Sequence, residues 1–84
     1  MNSPTTEIDT NLIRLQDLPC NQVSKVVSIT GSPHEIARVA AMGLRTGSVV
    51  SVTRGGITCI VQLENGNRLC LRISRELEIL AKVI

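Results

Sequence analysis

The chain has 84 residues, a formal charge of +2 and no Phe, Tyr or Trp; one domain fits that length, and a domain this small buries only about 60% of the surface its unfolded chain exposes. The missing aromatics take away the base-stacking surface of single-strand and RNA-binding modules. With Glu7 and Asp9 set aside in the leader, nine basic residues face five acidic ones, a net +4 that falls short of the concentrated basic stripe of a nucleic-acid binder.

Met1 to Asn11 is polar, with Ser, Pro, Thr, Asn and two acids and no apolar periodicity, and reads as a flexible leader to a domain spanning residues 12–84. Leu12, Leu15 and Leu18 are spaced as a single turn whose leucines plug one end of a core. Pro19-Cys20-Asn21 then turns the chain, with Asn21 in the left-handed position. Val23 to Ile29 is β-branched and alternating and predicts the first strand, with Val23, Val27 and Ile29 on one face and Ser24 and Ser28 on the other.

Ser32 to Met42 predicts the one helix. Ser32 suits the N-cap, Pro33 stands at the first helical position where its missing N–H costs nothing, and Glu35 completes a capping box. Ile36, Val39 and Ala40 form the docking stripe, with His34, Glu35 and Arg38 on the wetter sides. Gly43 supplies the left-handed residue after the last turn, and Leu44 folds back on Val39 in a Schellman stop. Gly47 takes the positive-φ position of the following turn.

Val49 to Thr53 predicts a second strand with Val50 and Val52 inward, ended by Gly55-Gly56. Ile57 to Leu63 and Arg68 to Ile73 predict a hairpin. A three-residue loop, Asn65 to Asn67, sets Leu63 opposite Leu69, Val61 opposite Leu71 and Cys59 opposite Ile73; it leaves Ile60 with Arg72 and Glu64 with Arg68 outside. Cys59 is thereby inside and Cys70 outside. Ser74 caps a tight turn, and Ile79 to Ile84 supplies the last strand. The fold class is mainly β: a small five-stranded barrel with one short helix inserted between its first two strands.

Read together, Leu15-Gln16-Asp17-Leu18-Pro19, the strand Val23 to Ile29, the run Met42-Gly43-Leu44-Arg45-Thr46-Gly47 followed at once by a β-branched strand, and Leu71-Arg72 before Ile79 resemble the FeoA family over about residues 12–84. The chain departs from the family's usual pattern at Asn21, where glycine is common, and at Arg75-Glu76. The resemblance implies an SH3-like barrel acting as a cytoplasmic accessory of FeoB, the GTP-hydrolysing membrane transporter of ferrous iron.

Cys20, Cys59 and Cys70 are odd in number and unpaired in spacing, with no Cys-x-x-Cys or His-x-x-x-His. With no signal peptide and no span of about 20 apolar residues, a soluble cytoplasmic protein with reduced thiols is expected. One histidine and dispersed carboxylates and thiols offer no catalytic constellation and no cofactor site, and the glycines are scattered over separate turns rather than gathered in a phosphate loop. His34 beside Glu35 reads as a solvent-facing residue at a helix start. The partner-binding candidates are Met42, Leu44 and Arg45 at the helix stop and Ile60 with Arg72 on the outer sheet; Met42 and Leu44 are also readable as core filling, and Ile60 as an isolated surface residue. The leading function is a non-catalytic partner of a FeoB-type transporter. The alternative is a small nucleic-acid-binding or metal-responsive regulatory module.

Overall fold

The computed structural model describes residues 11–84; the predicted leader, apart from Asn11, lies outside the described residues. In chain order the elements are β1 (Ile13–Arg14), a 3-10 turn (Leu15–Asp17), β2 (Val23–Gly31), α1 (Pro33–Ala41), β3 (Val49–Arg54), β4 (Thr58–Leu63), β5 (Arg68–Arg72) and β6 (Leu77–Val83). All strand pairs are antiparallel, and the order across the sheet is β1-β6-β2-β3-β4-β5. The expected five-stranded barrel is thus replaced by six strands in an open sheet, with β1 and β5 at its edges. The added strand comes from Ile13 and Arg14, which pair with Ala81 and Leu80 instead of continuing a turn.

A single aliphatic core covers the inner face of the sheet. Val26, Val50, Val52, Cys59, Val61, Leu71, Ile79 and Ala81 are buried from the strands, Val39 and Leu44 from the helix and its stop, and Leu15 and Leu18 from the turn that plugs one end. The plug is held by backbone: Gln16 carbonyl oxygen accepts from the Gly56 amide at 3.1 Å, which brings the β3–β4 turn onto it. Gly55 belongs there because a Cβ would stand 2.8 Å from the Gln16 oxygen.

Helix α1 begins and ends as its residues dictate. Ser32 Oγ accepts from the Glu35 amide at 3.2 Å. The reciprocal half of the capping box is absent, because the Ser32 amide donates to the Glu76 carbonyl at 3.0 Å and the Glu35 carboxylate takes Arg38 at 2.7 Å instead. At the other end the Gly43 amide donates to Ala40 and the Leu44 amide to Val39, the paired bonds of a Schellman stop, with Gly43 at φ 101°.

Strand β2 runs against its prediction. Ser24 and Val26 are the buried residues, while Val23 and Val27 are 52% and 39% exposed. The strand pairs with β6 from Ser24 to Gly31 and with β3 at Val23 to Lys25, and a bulge between Val26 and Ser28 returns Ile29 to the inner side after Val26. The strand also runs two residues past Ile29, so that Gly31 pairs with Leu77.

The β4–β5 hairpin keeps the predicted inner set but slides by two residues. Cys59 faces Leu71 and Val61 faces Leu69, so Ile60 lies opposite Cys70 rather than Arg72, and Arg68 opposite Gln62 rather than Glu64. The loop does hold three residues, Glu64 to Gly66: the Leu63 amide donates to Asn67 and the Gly66 amide to Leu63. Gly66 takes φ 95° as the last loop residue, where a type I turn with a bulge needs it. A two-residue slide leaves every side chain on its own face.

Candidate functional site

The helix stop forms a corner built almost wholly from backbone bonds. Met42 caps α1 in the right-handed region, Gly43 reverses the chain, and Leu44 turns inward to 0% exposure. Arg45 then begins a second tight turn: its amide donates to Ser48 Oγ at 2.9 Å, its carbonyl accepts from the Ser48 amide at 3.0 Å, and Gly47 sits at φ 95°. Gly47 and Ser48 tie this turn to Val26 of β2 by two further bonds of 2.8 Å. The result is a closely hydrogen-bonded corner on which Arg45 is exposed.

Of the predicted contact residues, Arg45 is exposed, Met42 is half-buried against the core, and Leu44 is entirely within it. Burial removes Leu44 from any surface; it anchors the corner instead. Ile60 is half-buried on the outer sheet in a groove with Arg54, Gly55, Ile57, Thr58 and Cys70. Arg72 lies opposite Thr58, diagonal to Ile60, and its backbone oxygen accepts from the Arg38 guanidinium at 3.4 Å. Arg45 therefore sits on a hydrogen-bonded corner, the first region, and Ile60 in a groove edged by Arg54, the second, with Arg72 outside the lining of that groove. Ile57, 69% exposed, belongs to the second and was missed, because its place beside Gly55-Gly56 reads as a strand start rather than as a rim.

Among the described residues the corner has no ion pair. The ion pairs among the described residues are Arg14 with Asp17 and Arg38 with Glu35, so Arg45, Arg54, Arg68, Arg72 and Arg75 have no carboxylate within ion-pair distance there. A cleft beside the corner, lined by Gly43, Ser48, Val49, Leu63, Glu64 and Asn65, separates it from the hairpin tip.

The thiols are free, Cys59 buried and Cys20 and Cys70 exposed. Burial pushes the Cys59 thiol pKa up, with Asp17 and Cys70 adding to the effect, and its Sγ donates to the Gly56 carbonyl at 2.9 Å. A protonated thiol bonded to backbone is a core residue, not a nucleophile. His34 is exposed beside a Glu35 already engaged by Arg38. Among the described residues no three His, Cys, Asp or Glu side chains come together, and no helix is long and apolar enough to cross a membrane.

Comparison with known proteins points to a family. No curated protein sequence matches the chain. Its fold matches the crystal structure of an iron uptake regulatory protein, FeoA, with a TM-score of 0.74 at 17% identity, covering 87% of this chain and 99% of that one. That likeness establishes a shared fold, consistent with an SH3-like architecture. The FeoA domain itself matches residues 13–76, which run from β1 through the core to the turn before β6. The chain belongs to the FeoA family and is a small protein associated with ferrous iron transport.

Proposed function

We propose that this protein is a non-catalytic, cytoplasmic accessory that binds the cytoplasmic part of a FeoB-type transporter and modulates ferrous iron uptake, docking through the corner after α1. The partner is suggested by family membership. The surface is supported by one observation: Arg45 stands exposed on a corner whose backbone is held by Gly43, Gly47 and Ser48. A locked corner loses little ordering entropy on association, and an Arg beside a half-buried apolar residue, here Met42, is the usual composition of a binding hot spot.

The outer sheet around Ile60, with Arg72 opposite Thr58, is the second surface to vary. Iron is cargo of the partner in this reading, and GTP is the partner's substrate.

Arg45→Glu tests the corner. The residue is exposed and its structural bonds are made by its backbone, so the fold should hold to within about 0.5 kcal/mol while a charge reverses at the contact. Loss of transporter recovery from membranes, together with loss of iron uptake in a strain lacking the wild-type protein, is expected. Full recovery of both by folded Arg45→Glu protein would exclude this corner as the interface.

A further inference from the structure

The two edges of the sheet are unlike. β1 has two residues, whereas β5 has five, Arg68–Arg72, and is paired with β4 on one side only. Its register fixes which backbone groups are spare. The Leu63 amide donates to the Asn67 carbonyl at 2.7 Å and the Ile73 amide to the Ile57 carbonyl at 2.8 Å, so by alternation Leu69 and Leu71 also turn their amides and carbonyls to β4. Arg68, Cys70 and Arg72 turn theirs outward. The Arg72 carbonyl accepts from the Arg38 guanidinium at 3.4 Å, and the other outward groups have no hydrogen-bond partner among the described residues.

An open edge is a template for pairing with another chain, and folded proteins keep it covered or charged. On the outer face of this one Arg68 and Arg72 are exposed, with no carboxylate within ion-pair distance among the described residues. On the inner face Leu69 is only half-buried, as is Ile73 just past the strand. A segment that fits this edge is extended, with acids on one face and an aliphatic residue on the other.

The chain contains that segment. Glu7-Ile8-Asp9 alternates acid, aliphatic and acid, so that in a strand its two carboxylates share one face and Ile8 takes the other. It also joins the sheet close by, because Arg14 of β1 lines the same cleft as Ile73 and Ser74 beyond the end of β5. Glu7 precedes Arg14 by seven residues and can stand up to about 25 Å from it, against roughly 17 Å for the whole of a five-residue strand.

We propose that Glu7-Ile8-Asp9 lies along the outer edge of β5 as an added strand of the same chain, its carboxylates on Arg68 and Arg72 and Ile8 against Leu69. Acids two residues apart serve arginines four apart because cross-strand pairs also form diagonally. A second copy fits the edge less well: two β5 strands paired about Cys70 set Arg68 of each against Arg72 of the other, like charges directly opposite. The leader thereby withholds the longer edge of the sheet from other chains. The inference stands independently of the transporter reading, because it uses neither the family nor Arg45.

The test is amide hydrogen exchange by NMR on the full chain. The amides of Arg68, Cys70 and Arg72 are expected to be protected although none of them faces β4. Glu7→Lys with Asp9→Lys should speed their exchange by about tenfold and leave Leu69 and Leu71 unchanged; a weakened fold would release those two as well. Arg68→Glu with Arg72→Glu, added to that variant, reverses each charge pair and should restore protection. Edge amides that exchange in the wild-type protein as fast as those of an exposed loop, a lysine variant that exchanges like the wild type, or a charge swap that restores nothing would each overturn the proposal. So would protection that grows with protein concentration, which belongs to an edge paired with a second copy.

Discussion

Helix α1 and strand β2 adjoin in sequence and have nine residues each, but they are held in different ways. The helix is defined within itself: Ser32 satisfies the Glu35 amide, Gly43 and Leu44 satisfy the last carbonyls, and Val39 is buried by position on the stripe. The strand is defined by others. Its first residues are held between β3 and β6, the remainder is held by β6, and the bulge at Val27 shifts the register against β6. Local hydrogen bonding reaches only a few residues, so an element that satisfies its own donors can be read from its sequence. One that borrows partners from residues 48–51 and 77–83 cannot.

The difference can be pressed hardest at two glycines. Gly31 ends β2 at φ 142°, and a Cβ there would stand 2.0 Å from the Glu76 carbonyl oxygen, a backbone atom with nowhere to go. Gly31→Ala should therefore destabilise by about 3 kcal/mol or more, read from the denaturant midpoint. A loss below about 1 kcal/mol would show that β2 and β6 are less tightly joined than their register indicates.

Gly43 lies at the helix stop, where an added Cβ meets only the flexible end of Leu63 at 3.3 Å but the backbone stays at φ 101°. Gly43→Val should cost about 1 to 3 kcal/mol, the penalty of a β-branched residue at positive φ. An unchanged midpoint would mean that the stop can reform without a left-handed residue.

Ser24 probes the reversed face of β2 more gently. Its hydroxyl is buried and bonded only to its own neighbourhood, at Gln22, and that carbonyl belongs to an exposed residue that water can serve. Ser24→Ala should be neutral or stabilising by up to about 1 kcal/mol. A clear loss of stability would mean that the serine is a structural part of the strand rather than a consequence of facing valine outward.

Cys59 on β4 offers the smallest effect. Its pKa is raised in the folded state, chiefly by burial, so above roughly pH 8.5, the ordinary thiol value, the unfolded chain loses its proton first. Stability is then lost as pH climbs from that value through the folded one, and Cys59→Ala, compared by thermal melts over that range, should lose less. Thiol labelling of the native protein gives the same answer by rate: Cys20 and Cys70 should react well before Cys59. Equal rates would contradict the buried position of Cys59.

What the sequence by itself determined is what short-range chemistry controls. The caps of α1, the left-handed residues Asn21, Gly43 and Gly47, and the inward sets Val50 with Val52 and Cys59 with Val61 all follow from residue type and period two. The corner carrying Arg45 was legible for the same reason, since two glycines and a serine close it locally. The tertiary structure alone decided which face of β2 is buried, the two-residue slide of the β4–β5 hairpin and the open sheet with its sixth strand. It also decided the need for glycine at position 31 and the edge position of β5. Alternation within one strand states that it has two faces and not which one is inside; that choice is made by partners far along the chain, whose hydrogen bonds and packing are settled together.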